Sequence, residues 1–257
     1  MTAFDTLAPT YDDDFTHTPL GLVLRHNAQA RLQLFIRSGM RVLELGCGTG
    51  EDAKWLGEQG ISLVTTDASA RMREQARAKT QHLPHVHVEA LDMNTPPADW
   101  PRVQFDLVFS HFGALNCVAD VSPLADWLSS RVAPGGHMCL MVMSPTCLWE
   151  RVWYTARGNL AMAFRRHHAT FFRPDPMGPA LTIHYPSINK LTHAFSPHFR
   201  PLYAAPTGLF IPPSELFGMV EKRPWLKRGL LTLESRFGDV HALARWADHY
   251  SLVLARL

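Results

Sequence analysis

Between residues 41 and 144 short apolar runs alternate with segments of helical period, and that rhythm admits few folds. The run Arg41-Val-Leu-Glu-Leu-Gly46 predicts a buried strand that stops at glycine. Residues 51–60 predict a helix with Ala53, Trp55 and Leu56 on its apolar side and Gly60 as its stop. A strand over 61–67 follows, then a helix over 69–81 that Ser69 can cap, with Met72 and Ala76 one turn apart. Strands over 85–92 and 105–110, a helix over 123–133, the Pro134-Gly135-Gly136 turn and a strand over 137–144 complete the series. Near-continuous apolar strands alternating with helices predict a doubly wound α/β fold, a parallel sheet covered on both faces.

The rhythm breaks after Ser144. Residues 145–186 are rich in aromatics, arginine, histidine and proline, with a helix expected over 147–166 and irregular or short β structure to Pro186. A helix over 187–197 and a strand over 199–207 resume the pattern. Residues 213–247 read as a second, mostly helical insert, and 249–257 as a final strand. Two inserts this late in a parallel sheet are expected to cap its carboxyl edge. No internal repeat or low-complexity tract interrupts the chain.

Composition narrows the function classes. With 46% hydrophobic residues among 257, the chain can bury a substantial core, so disorder is excluded for its body. Twenty-five basic against 23 acidic residues leave a charge of +2, too balanced for a large phosphate footprint, so no nucleic-acid partner is expected. No apolar run approaches the roughly 20 residues of a membrane span, and the acidic opening MTAFDTLAPTYDDDF has no signal-peptide character. The four cysteines form no CxxC pair, and His184, His193, His198 and His249 show no metal-like spacing; a reducing, cytoplasmic setting without a metal is expected.

The first strand ends in Glu44-Leu-Gly46-Cys47-Gly48-Thr-Gly50 and opens into a helix. Glycines between strand and helix let a ligand approach the backbone at the sheet's carboxyl edge. A phosphate loop would need GxxxxGK[ST], and no lysine follows. A dinucleotide fingerprint would need its third glycine one residue beyond Gly50. Glu44 would repel a pyrophosphate but suits an ammonium group, so the loop favours a nucleoside ligand that carries positive charge and no phosphate.

The segment VLELGCGTGEDA resembles the first motif of class I S-adenosylmethionine-dependent methyltransferases. TTDASARM resembles their acidic second-strand motif, ALDMNTPP the segment that closes around adenine, FDLVFSHFGALN the fourth-strand motif, and APGGHMCLMV the turn into strand five. The opening FDTLAPTYDDDF is similar to that of ubiquinone- and menaquinone-type small-molecule methyltransferases, whose tyrosine segment folds over the cofactor. The likeness spans residues 4–144 in the right order. It implies a Rossmann-like sheet of about seven strands with the last antiparallel. The implied division is an N-terminal helical lid over 1–40, a cofactor-binding core over 41–144, and the remaining strands and substrate-cap inserts over 145–257.

The resemblance also implies roles. Glu44, Gly46, Cys47, Gly48 and Gly50 would hold the methionine portion of S-adenosylmethionine, Asp67 the ribose, and Asp92 with Met93 the adenine; Ala68, Met72 and Ser110 would join the cofactor site. Asp67 also reads as a cap of the following helix, though its position 17 residues beyond Gly50 fits ribose binding. Cys47 reads as a compact filler between glycines. His111, directly after strand four, is the candidate base, with Tyr11 contributing to closure; a histidine hydrogen-bonded at a loop start is its ordinary alternative. Phe112, Trp149, Arg165 and His168 are candidate substrate contacts, against core packing for Trp149 beside Trp153 and a solvated basic face for Arg165, Arg166, His167 and His168. The expected acceptor is a small molecule, partly apolar or aromatic. Ser110-His111-Phe112-Gly113 lacks the Pro-Pro-aromatic signature of enzymes that methylate exocyclic base amines. Two other classes share parts of the pattern: a nicotinamide oxidoreductase, and a regulatory protein that keeps the cofactor pocket without catalysis.

Overall fold

A computed structural model describes residues 2–100, 103–176 and 178–257; Met177, inside the first insert, lies outside the described residues. The helices are α1 (Ala3–Leu7), α2 (Pro19–Gln33), α3 (Glu51–Gly57), α4 (Ala70–Thr80), α5 (Ser122–Ser129), α6 (Leu148–Thr155), α7 (Leu160–Ala163), α8 (Ile188–Phe195), α9 (Ser214–Glu221) and α10 (Pro224–Phe237). The strands are β1 (Arg41–Leu45), β2 (Ser62–Asp67), β3 (Val86–Ala90), β4 (Phe105–Ser110), β5 (Val132–Met143), β6 (Thr170–Phe172), β7 (Leu181–Ile183), β8 (Phe199–Thr207) and β9 (His249–Arg256). A π-helical turn, Asp12–Thr16, precedes α2.

Seven strands form one sheet in the order β3-β2-β1-β4-β5-β9-β8, as the Rossmann-like reading expects. The first five are mutually parallel, and β9 inserts antiparallel beside β5, with His137 opposite Ala255 and Met143 opposite His249. The order reverses between β1 and β4, so the crevice at their carboxyl ends is the topological switch point where open α/β sheets bind ligands. Val42, Leu43, Leu45, Leu107 and Val108 are fully buried because helices cover both faces. On one face Leu32 of α2 and Ala53 and Leu56 of α3 pack on Val42, Leu63 and Leu107. On the other, Leu124 and Leu128 of α5 and Leu191 and Phe195 of α8 pack on Leu43, Val108 and Met138.

Two expected elements differ. The helix expected over 147–166 is α6, α7 and a 3₁₀ turn, because Gly158 adopts φ +72°, a conformation that ends helices. The helix expected over 123–133 ends at Ser129, and β5 already begins at Val132. The first insert also folds a small hairpin, β6 against β7. The second insert lies over α2, where Phe217 of α9 and Leu231 of α10 join Leu20 and Leu24. Among the described residues, no helix is long and apolar enough to cross a membrane.

Candidate functional site

A cavity of about 290 Å³ opens at the switch point. Its floor is the glycine loop after β1. Gly46, Gly48 and Gly50 all adopt positive φ, so the loop turns its backbone toward the cavity in a conformation that side chains resist. Gly50 caps α3 from outside the cavity: a Cβ there would lie 2.7 Å from Ala76 of α4, so its glycine sets the packing of α3 on α4.

Asp67, at the end of β2, has both oxygens fixed. Gly48 N–H donates to Oδ2 at 2.9 Å, and Ser69 N–H donates to Oδ1 at 2.8 Å. Capping of α4 falls to Ser69, whose Oγ accepts from Met72 N–H at 3.1 Å. Asp67 thus ties the glycine loop to the next strand while each oxygen keeps a lone pair for a ligand. Burial raises its pKa against those two hydrogen bonds. Asp92 lines the cavity too, with Oδ1 accepting from Asn94 N–H at 2.9 Å, and Met93 lies beside it.

Glu44 is buried at the end of β1, with Thr65 Oγ1 donating to its carboxyl group. Burial, reinforced by the nearby negative charge of Asp52, pushes its pKa up to about 8. By itself Glu44 is therefore largely protonated at neutral pH, and a cationic ligand would favour its ionised form.

Behind the glycine loop stands a second charge cluster that the sequence reading did not find. Asp52 Oδ2 lies 3.0 Å from His111 Nδ1 and 2.9 Å from an Arg25 guanidinium nitrogen, while Gln29 Nε2 donates to Oδ1 at 2.8 Å. Burial alone would raise the Asp52 pKa, but Arg25 and His111 hold it well below the usual carboxylate range. An ionised Asp52 favours the proton of a neutral His111 on Nδ1, leaving Nε2 as the acceptor, the tautomer a general base requires. Arg25 also lines the cavity, and its buried Nε–H has no hydrogen-bond partner. A signal for Asp52 existed, since it stands one turn before Leu56 on the apolar side of α3, where a charge needs a partner. Arg25 carries no comparable local signal.

The N-terminal segment forms the remaining wall. Asp5 Oδ1 accepts from Ser69 Oγ at 2.6 Å and Arg71 N–H at 3.1 Å, fixing α1 on the start of α4. Asp12 accepts from Thr49 Oγ1 at 2.6 Å and pairs with Lys79 at 2.7 Å. Tyr11 lines the cavity, and burial pushes its hydroxyl pKa up to about 12, so the hydroxyl stays protonated at neutral pH. Phe112 adopts φ +52°, left-handed for an aromatic residue, and sits against Phe15 at 5.3 Å and the Arg25 guanidinium at 4.5 Å.

Of the residues expected at the site, Tyr11, Glu44, Gly46, Cys47, Gly48, Asp67, Ala68, Met72, Asp92, Met93, His111 and Phe112 line this one cavity. Burial keeps the Cys47 thiol well above its ordinary pKa, in line with a filler. Ser110 is buried behind the cavity, where its Oγ donates to Leu45 O at 2.9 Å and joins β4 to β1. Trp149 lines a different groove. Arg165 is engaged by Glu150 at 2.7 Å and Glu215 at 2.9 Å, and His168 lies exposed in the loop before β6. The first insert reaches the cavity through Pro179, Ala180 and Leu181, whereas the second contributes no described lining residue.

Comparison with known proteins agrees with this architecture. The model of a methyltransferase domain family matches residues 22–182. The chain is 31% identical over 142 residues to the demethylmenaquinone methyltransferase of Beutenbergia cavernae, an alignment covering 55% of this chain and 56% of that protein. The chain spans 30% to 56% of the length of the first curated relatives it matches. An S-adenosylmethionine-dependent methyltransferase from Mesorhizobium loti has a similar fold, with a TM-score of 0.56 at 20% identity over 91% of this chain and all of that one. So does the DhpI–SAH complex, with a TM-score of 0.58 at 19% identity over 98% of this chain and 92% of that one.

Proposed function

The chain belongs to the methyltransferase domain family, and from that membership we propose that it transfers a methyl group from S-adenosylmethionine to a small-molecule acceptor, releasing S-adenosylhomocysteine. The observation that carries this reading is the joining, in one cavity, of a nucleoside-sized glycine loop, the fixed carboxylate of Asp67, and an acid and a guanidinium suited to the two ends of an amino acid. Glu44 fits the ammonium group, and the orphan Nε–H of Arg25 fits the carboxylate. The free lone pairs of Asp67 fit the ribose hydroxyls, and Leu91, Asp92 and Met93 form the adenine wall.

Bound there, S-adenosylmethionine supplies a methyl group on a sulfonium, already activated for displacement, so much of the catalysis is positioning. The chain supplies that positioning through the glycine loop and Asp67. The segment from α1 through the π-helical turn acts as a lid, with Asp5 and Asp12 as the latches that hold Tyr11 over the loop, while α2 behind it belongs to the layer that covers the sheet. His111, oriented by Asp52, takes the proton of an acceptor hydroxyl, amine or thiol through Nε2. Phe112, Pro179 and Leu181 give the acceptor side an apolar wall, which fits a partly apolar or aromatic molecule.

The test is transfer of a labelled methyl group across a panel of phenols, amines, thiols and quinone-like acceptors. With the best acceptor, His111→Ala is expected to bind S-adenosylhomocysteine as the native chain does and to turn over roughly 100- to 10,000-fold more slowly. Undiminished turnover in that variant would remove His111 from the chemistry, and no transfer to any acceptor by a chain that binds the cofactor would favour a regulatory role.

A further inference from the structure

The first insert opens after β5 and closes after β7, and one fully buried side chain, Asn116, holds both ends. Asn116 stands in the 3₁₀ turn Ala114–Cys117 that follows β4. Its Oδ1 accepts from Met143 N–H at 2.8 Å, and its Nδ2 donates to Met143 O at 3.2 Å and to His184 O at 2.6 Å. Its own carbonyl accepts from His184 N–H at 2.7 Å. Met143 is the last residue of β5, and His184 is the first residue after β7. Four hydrogen bonds from one residue therefore close the base of the insert. Both ends of the side-chain amide are engaged, so its removal leaves backbone groups at both ends of the insert without partners.

The same turn faces the cofactor cavity, which Gly113, Ala114 and Cys117 line. Ala114 packs so closely on the glycine loop that a Cβ on Gly46 would collide with its own. On the adenine side, Asn94 Nδ2 donates to Cys117 O at 3.1 Å, and Asn94 Oδ1 accepts from Ala119 N–H at 3.2 Å. At the other end of β7 from His184, the chain brings Pro179, Ala180 and Leu181 to the cavity, with Leu181 opposite Phe172 of β6. One turn thus touches the glycine loop, the adenine side and the base of the element that walls the acceptor side. Directional bonds at that base fix where the hairpin stands relative to the bound cofactor, and a wall displaced by about 1 Å is enough to alter how an acceptor is held.

We infer that Asn116 is a positioning residue that sets the Pro179–Leu181 wall against the cofactor cavity, and so governs acceptor binding without touching cofactor or acceptor. The inference rests on the methyl-transfer reading. Asn116→Asp keeps the size of the side chain and the acceptor for Met143 N–H but turns an oxygen toward two carbonyls, whereas Asn116→Ala removes the side-chain bonds and adds no charge. In either variant the KM of the best acceptor is expected to rise about tenfold or more, while kcat and the affinity for S-adenosylhomocysteine stay within about twofold of native. Hydrogen exchange gives a second readout: amides of β6 and β7 are expected to lose protection while those of β1 and β2 keep it. Leu181→Ala, at a half-buried position that does not touch the staple, is expected to shift preference toward bulkier acceptors. An unchanged acceptor KM in a folded Asn116 variant, or an unchanged preference in Leu181→Ala, would overturn the inference. Loss of protection across the whole sheet, with cofactor affinity falling in step, would overturn it in favour of a purely structural role. A native chain that binds no S-adenosylhomocysteine or methylates no acceptor would fail the methyl-transfer reading itself, a result distinct from native transfer with an unaltered variant.

Discussion

Glu44 and Asp67 are both carboxylates in one cavity, yet their surroundings ask different things of them. Burial and the charge of Asp52 raise Glu44 to about 8, so the folded chain binds a proton there that the unfolded chain has already released above its ordinary pKa of 4.5. That raised pKa makes Glu44 a destabilising group that grows as pH rises from about 4.5 to about 8, and pairing with a ligand ammonium relieves it. Affinity for S-adenosylhomocysteine is therefore expected to rise with pH up to about 8 and then level off, with a proton released on binding at pH 7. Calorimetry in buffers of different ionisation enthalpy reads that proton, and Glu44→Gln should abolish its release. Asp67 acts through fixed acceptors instead. Its replacement by alanine removes the ribose contacts and the anchor of Gly48 N–H, and is expected to weaken S-adenosylhomocysteine by about 1.5–3 kcal/mol while circular dichroism stays native. Unchanged affinity would take Asp67 out of the ribose site.

Among the elements, the glycine loop and the helices it feeds bear the geometry. Gly50→Ala would place a methyl group 2.7 Å from the Cα of Ala76 at a φ of +83°, so α3 and α4 must separate. A loss of about 2–4 kcal/mol in unfolding free energy is expected from urea titration, with Gly39→Ala, where a Cβ meets nothing within 4 Å, as the milder comparison. Elements of this kind were legible in the sequence because their signals are local: an apolar run ending in glycines, an acid ending the next strand, a serine ahead of a helix. The Asp52–His111–Arg25 cluster was not, because its members come from α3, the end of β4 and α2 and meet only after the sheet has formed. Likewise the periodicity over 147–166 is helical throughout, and only the conformation at Gly158 shows where α6 stops. Trp149 carried an aromatic signal that could not say which of two concavities it would line.

At the scale of the whole molecule, a buried ion network joins the first insert to the core. Arg166 bridges Glu150 of α6 and Asp248, just before β9, at 2.6 Å each, and also donates to Asp248 O at 3.0 Å. Burial alone would raise the Asp248 pKa, but Arg166 and His249 hold it well below the usual carboxylate range. Its stabilising contribution is therefore complete above the unfolded pKa near 3.8 and is lost as pH falls through the lower folded value. Glu150→Gln leaves Arg165 and Arg166 short of charge in a dry setting and is expected to cost about 3–5 kcal/mol, read as a fall in the thermal midpoint. The insert that reaches the cofactor cavity through Pro179–Leu181 is thus anchored by charge at its other end, while the sheet and its switch point set the cavity itself. The cavity's identity as an S-adenosylmethionine site is the claim on which the account turns, and calorimetric titration of the native chain with S-adenosylhomocysteine, beside NAD, tests it most directly. The account predicts saturable one-to-one binding of the first and none of the second; saturable binding of NAD, or of neither by a folded chain, would contradict it.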